Sequence, residues 1–93
     1  MPLQRPRLTL VVRGYCSLCD TMRAACLEAA QRHRADFELL EVDLDAYPDL
    51  EGKFGEWVPV LLLGTLEDGV EICHYHFDEM AWLAAVSTAD ERR

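Results

Sequence analysis

An α/β domain ordered β-α-β-α-β-β-α, a four-stranded mixed sheet flanked by three helices, is what this sequence predicts. Three observations carry that reading. Leu8-Thr9-Leu10-Val11-Val12 is an unbroken run with the character of a strand covered on both faces. From Ser17 to about Arg34, apolar residues recur at helical spacing. Further on, Leu66-Glu67-Asp68-Gly69 separates two strand-like runs with a turn sequence.

The first strand, Leu8 to Val12, ends at Arg13-Gly14 and is expected to be central in the sheet. In the helix that follows, Leu18, Met22, Ala25, Cys26, Ala29 and Ala30 form the apolar stripe, with Asp20, Arg23, Glu28 and Arg32 around the rest of the turn. His33 and Arg34 sit at its end, where cations favour the helix dipole. Phe37 to Val42 alternates as a less buried strand. Strand, helix and strand form a crossover unit, so these two strands are expected to be parallel neighbours.

A short helix is predicted over Ala46 to Phe54, closed by Gly55. Trp57-Val58-Pro59-Val60-Leu61-Leu62-Leu63 reads as a buried third strand opening with a proline. Val70 to His76 returns as the fourth, with Cys73 and Tyr75 on one face and His74 and His76 on the other. Asp78 is placed to cap a last helix, Glu79 to about Val86, with Met80, Leu83 and Ala84 inward. Residues 1–93 are read as a single domain with loose ends at about 1–6 and 87–93.

Composition narrows the function. A net charge of −8 speaks against a nucleic-acid or anionic-membrane partner, which calls for clustered Lys and Arg. Eight carboxylates between Asp36 and Glu56 face a single Lys53, the pattern of a solvated face, and a monomer is expected. Four cysteines are too few and too irregularly spaced for a disulfide-stapled scaffold. The proline-broken start, Met1-Pro2-Leu3-Gln4-Arg5-Pro6-Arg7, does not read as a signal peptide, so the expected compartment is the cytoplasm.

Chemistry concentrates where the first strand hands over to the helix, at Cys16-Ser17-Leu18-Cys19. Two thiols three apart on a first helical turn lie close enough to bridge, and the unpaired N–H groups there favour a negative sulfur. That suits reversible disulfide exchange. Lowering a thiol from ~8.5 by about two units takes roughly 2.7 kcal/mol, more than the ~0.3–1 of a typical helix dipole. First-turn N–H groups, the Cys19 thiol and Arg13 are the candidates for the remainder. Cys26 lies about 10.5 Å along the helix from Cys19, beyond disulfide reach, and is read as core; Cys73 is read as packing. Asp20 is read as a dipole partner, and no metal is assigned to His74 and His76.

The segments Gly14-Tyr15-Cys16-Ser17-Leu18-Cys19-Asp20 and Gly55-Glu56-Trp57-Val58-Pro59-Val60-Leu61-Leu62, in this element order, resemble the glutaredoxin-like family of the thioredoxin superfamily, in its small bacterial C-x-L-C-D form. The resemblance runs from about Leu8 to Val86. It implies a thioredoxin-like fold and a thiol–disulfide oxidoreductase acting on protein or small-molecule disulfides. Cys16 is then the nucleophile, Cys19 the resolving thiol and Pro59 a cis proline beside them. The Val58 backbone is implied to pair with an extended substrate chain, and Arg13, Tyr15, Trp57 and Asp78 are read as further substrate-site residues. Trp57 and Trp82 read first as packing residues, with the rim of the substrate groove as the alternative place for Trp57. Two positions depart from the glutaredoxin pattern. Ile72-Cys73-His74-Tyr75-His76-Phe77-Asp78 stands where a Gly-Gly pair and an acidic residue hold glutathione, leaving Asp78 as the counterpart, and Trp57 replaces the usual Thr. No bound cofactor is expected. Glutathione or a thioredoxin-reductase-type donor is the expected reductant. Two other classes stay open on the residues alone: a metal or iron–sulfur carrier using the same thiols, and an interaction module on this fold.

Overall fold

The structure, a computed structural model, describes residues 5–91. Strand β1 (Arg7–Val12) leads into helix α1 (Ser17–His33) and strand β2 (Glu38–Asp43). Two single 3-10 turns, Leu44–Ala46 and Pro48–Leu50, precede the one-turn helix α2 (Glu51–Phe54). Strands β3 (Val60–Leu63) and β4 (Val70–His74) and helix α3 (Glu79–Glu91) complete the order. The sheet runs β2-β1-β3-β4, with β1 parallel to β2 and antiparallel to β3, and β3 antiparallel to β4. This is the expected mixed sheet.

The unbroken apolar run of β1 is explained by burial on both faces. Leu8, Leu10 and Val12 face one side with Leu61, against Cys19, Met22, Cys26 and Ala29 of α1 and Trp82 and Val86 of α3. Val11 faces the other side with Val60 and Leu62, against Leu44 and Phe54. Each such fully buried aliphatic side chain contributes about 1.5–3 kcal/mol by leaving water. Thr9, the buried polar residue of this strand, donates its hydroxyl to the Gly64 carbonyl at 2.7 Å. β2 is an edge strand, and its Leu40 is exposed while Val42, on the same face, is buried.

Several boundaries differ from the sequence reading, each for a local reason. The helix expected over Ala46 to Phe54 is interrupted, because Pro48 has no N–H and restricts Tyr47, which adopts φ −132° and ψ 73°. Gly55 closes α2 in right-handed geometry, φ −56°, not in the left-handed form a closing glycine usually takes. β3 begins at Val60, after Pro59, since proline cannot donate to the ladder. In the β3–β4 connection the left-handed residue is Gly64, φ 108°, not the Asp68-Gly69 pair. β4 stops at His74, and Tyr75 turns out of the strand with φ 63°. The alternation that placed Tyr75 with Cys73 and His76 with His74 therefore ends there.

Met22, Cys26 and Ala29 of α1 are buried and Leu83 of α3 packs on the core as expected, and each helix departs from its expected stripe at one or two positions. On α1, Leu18 is exposed and Cys19 takes the inward position, beginning a stripe with Met22, Cys26 and Ala29. On α3, Met80 is 75% exposed and Ala84 is exposed, while Trp82 is fully buried one turn before Val86. The large indole rotates the helix so that its own apolar area is covered first. α3 also runs on to Glu91, through residues expected to be loose. At the other end Arg5 is tied to the Phe37 carbonyl at 2.7 Å and to Asp36 at 3.1 Å, and the Pro6 carbonyl accepts from Glu38. Those two residues are anchored; residues 1–4 and 92–93 of the expected loose ends lie outside the described residues. No helix among the described residues is long and apolar enough to cross a membrane.

α1 and α3 are joined at their ends. Glu79, in the first turn of α3, meets Arg32 at 2.5 Å and His33 at 2.7 Å in the last turn of α1. The hydrogen bond with His33, opposed by partial burial and helped by Arg32, holds the Glu79 carboxyl below its ordinary value of 4.5. A carboxyl lowered in the folded state stabilises above its unfolded value, and that stability is lost as pH falls through the folded value. Glu79→Gln is therefore expected to be less stable than the parent at neutral pH, with the gap closing in acid below 4.5. Urea unfolding of both proteins across that range checks this, and a gap independent of pH contradicts it.

Candidate active site

Sheet register assembles the site. Val11 pairs with Val60 across antiparallel strands, so the end of β1 lies beside the start of β3. The loop leaving β1, residues 13–16, is thereby brought to the same end of the sheet as Trp57-Val58-Pro59. Val60 pairs in turn with His74, which puts Tyr75 at that end too. Three separate stretches of sequence meet because β1 and β3 are neighbours of opposite direction.

Tyr15 takes a left-handed conformation, φ 55°, and turns the chain from Gly14 into the helix with its ring fully exposed. Cys16 then serves as the N-cap of α1 in extended geometry, φ −117° and ψ 104°. Its carbonyl accepts from the Asp20 N–H at 3.2 Å, and its sulfur accepts from the Cys19 N–H at 3.1 Å. A cysteine thus occupies the role that a Ser or Asp oxygen plays at other helix starts. Cys16 and Cys19 form a disulfide with Cα atoms 5.2 Å apart. The two halves differ in access: Cys16 is half-buried, whereas Cys19 is 1% exposed.

The Val58–Pro59 peptide bond is cis, the isomer the resemblance implies. Pro59 is buried, and Val58 packs on the same apolar cluster as Cys16. Trp57 is 45% exposed and forms an aromatic wall with His74, centroids 5.2 Å apart, and Tyr75, 6.1 Å apart. Its position is at the rim, not in the core; Trp82 is the core tryptophan. Tyr75 donates its backbone N–H to the Pro59 carbonyl at 2.9 Å and its hydroxyl to the Glu56 carbonyl. Nothing in the residue pattern marked Tyr75 for this place, because a left-handed tyrosine has no sequence signature.

Arg13 pairs with Asp45 at 2.8 Å and with Glu51 at 2.6 and 2.7 Å, and those carboxylates, Glu51 first, raise its basicity against partial burial. Its charge is thus directed to the acidic segment. Asp78 caps α3, accepting from the Ala81 N–H at 3.0 Å. Asp20 accepts from Arg23 at 2.9 Å, and Arg23 also meets Glu41 at 2.5 Å. Cys26 and Cys73 are free and buried. Burial pushes the Cys26 thiol up to about 12, with Cys73 nearby adding to the effect, and burial likewise raises Cys73. His74 pairs with Glu71 at 2.6 Å, and among the described residues no three His, Cys, Asp or Glu side chains gather as a metal site.

The family model of the glutaredoxin-like domain (DUF836) matches residues 7–86. The chain belongs to this family. A Mycobacterium tuberculosis protein, Rv0508, is 30% identical to the glutaredoxin-like chain over 80 residues, covering 83% of this chain and 78% of that one. The solution structure of Ne2328 from Nitrosomonas europaea superposes with a TM-score of 0.75 at 28% identity, over 92% of this chain and 96% of that one. Oxidised mitochondrial thioredoxin 3 from Saccharomyces cerevisiae superposes with a TM-score of 0.62 at 17% identity, over 92% and 81% of the two chains, which shows a shared fold. The glutaredoxin-like domain therefore has a thioredoxin-like fold with a cysteine pair at disulfide distance where its first helix begins.

Unequal access makes the four thiols of this domain distinguishable. After reduction, iodoacetamide at neutral pH is expected to alkylate Cys16 first, giving one adduct by mass spectrometry before any other, and all four only on unfolding. Rapid early labelling of Cys26 or Cys73 contradicts their assignment to the core.

Proposed function

We propose that this glutaredoxin-like domain is a thiol–disulfide oxidoreductase that reduces protein or small-molecule disulfides through Cys16 and Cys19. One observation carries the reading: the more accessible sulfur of the pair caps a helix N-terminus and receives the N–H of the residue that bears the other sulfur. That N–H and the dipole behind it favour a thiolate over a thiol.

The exchange runs in two steps. The Cys16 thiolate attacks one sulfur of the substrate disulfide, a Cys16–substrate disulfide forms, and the other substrate sulfur leaves as a thiolate. Cys19 then gives up its proton and attacks the Cys16 sulfur; the mixed disulfide breaks, and the second substrate sulfur leaves and is protonated. Two electrons pass from the dithiol to the substrate. A dithiol or thiol donor, either glutathione or a thioredoxin-reductase-type system, returns the Cys16–Cys19 bond to two thiols.

Around that chemistry, Val58 offers its backbone to the extended chain of a protein substrate, held by Pro59. Trp57 and Tyr15 offer apolar surface beside it. Arg13 acts indirectly, anchoring the loop before Cys16 to Asp45 and Glu51. Asp78 supports the site by starting α3. The cytoplasm, where thiols are kept reduced, is the compartment that matches a reducing role.

Insulin reduction with dithiothreitol tests the reading. The parent is expected to turn over and Cys16→Ser to lose activity, while reduced Cys19→Ser, freed of dithiothreitol and then mixed with insulin, is expected to accumulate a covalent mixed disulfide visible by mass. Equal activity in the parent and Cys16→Ser sinks the assignment.

A further inference from the structure

Tyr75 holds a place that packing does not explain. It is 38% exposed, so it fills no core, and its φ of 63° lies in the left-handed region that side chains larger than glycine rarely enter. Glycine serves such a position without steric cost. A tyrosine there needs a use for its side chain.

The hydrogen bonds show that use. Its N–H reaches the Pro59 carbonyl at 2.9 Å, while its hydroxyl reaches the Glu56 carbonyl. The two bonds bracket Trp57 and Val58. On the other side the segment is tied by the Trp57 N–H to the Phe54 carbonyl at 2.8 Å. Any residue at position 75 except proline supplies the first of the Tyr75 bonds, but only a side chain as long as tyrosine, ending in a donor, supplies the second. Its ring also stands 4.8 Å from His74 and 6.1 Å from Trp57, so the exposed indole leans on a wall fixed at position 75.

We propose that Tyr75 is a positioning residue of the exchange site, holding the Glu56–Pro59 segment so that the Val58 backbone and the Trp57 ring meet the extended chain of a protein disulfide in one geometry. This rests on the redox reading given above. The substrate class it favours is a polypeptide, because what Tyr75 fixes is a backbone edge and an aromatic wall, the surfaces that an added strand uses. The chemistry stays with the sulfurs. Tyr75 acts on binding.

The test pairs Tyr75→Phe, which removes the hydroxyl alone, with Tyr75→Gly, which also removes the ring and relieves the backbone. With insulin as substrate and dithiothreitol as reductant, Tyr75→Phe is expected to raise KM by about three- to ten-fold, the worth of one net hydrogen bond, with kcat little changed. Tyr75→Gly is expected to raise KM further while its unfolding midpoint stays near the parent's, since relief of the left-handed strain offsets the added freedom of the unfolded chain. Acrylamide quenching, measured without substrate, reports Trp57 because Trp82 is fully buried, and it is expected to increase in both variants. Unchanged KM and quenching in Tyr75→Phe, or losses that follow the unfolding midpoint, overturn the proposal. Should the parent fail to reduce insulin, the redox reading fails, and quenching alone then decides whether Tyr75 holds the segment.

Discussion

The N–H of Cys19 points at the sulfur of Cys16, and the site depends on that bond. It exists because Cys16 is the last extended residue before α1, so that its side chain meets the unpaired donors of the first turn. The same placement sets the two α-carbons 5.2 Å apart. One local geometry therefore sets both the bridge and the N–H contact to the Cys16 sulfur. Magnitudes show why the bond matters more than the dipole alone. A shift of two units takes roughly 2.7 kcal/mol, a helix dipole supplies ~0.3–1, and a hydrogen bond to a charged group adds ~1.5–3.

Geometry at one end of the helix is useful only if the rest of the site is carried to it, and β1 does the carrying. Its burial on both faces fixes it between β2 and β3, and its antiparallel pairing with β3 brings Pro59 alongside the loop that ends at Cys16. β4 continues the relay, because the Val60–His74 pair places Tyr75 against Pro59. The core and the site are thus one construction. Core residues such as Leu10 and Leu61, packed in one cluster with Cys19 and Cys26, set the register on which the candidate site rests.

How much of this the sequence discloses depends on the strength of the local signal. β1 and α1 are legible because a strand buried on both faces and a long amphipathic helix leave patterns that few alternatives match. The cysteine pair at their junction is legible from its spacing at a helix start, and the Val-Pro beside the third strand through the family resemblance. The face of α3 is legible only in part: Trp82 and Leu83 read as packing residues and do pack, whereas Met80 and Ala84 complete a plausible helical stripe and are exposed. Leu18 misleads in the same way on α1, where the less conspicuous Cys19 turns inward. The break at Pro48 was written in the residues, yet the acidic run around it reads equally as solvated helix. Tyr75 is silent in sequence altogether: its backbone is dictated by the end of β4, and its hydroxyl finds Glu56 only across the fold.

The start of α1 is placed to stabilise a negative sulfur at position 16. Ultraviolet absorbance of thiolate, followed against pH in the reduced protein and in Cys16→Ser, measures it most directly. An ionisation well below the ~8.5 of an unperturbed cysteine is expected, and is expected to be absent from the variant. An ionisation at or above that value, or one that survives removal of Cys16, contradicts it.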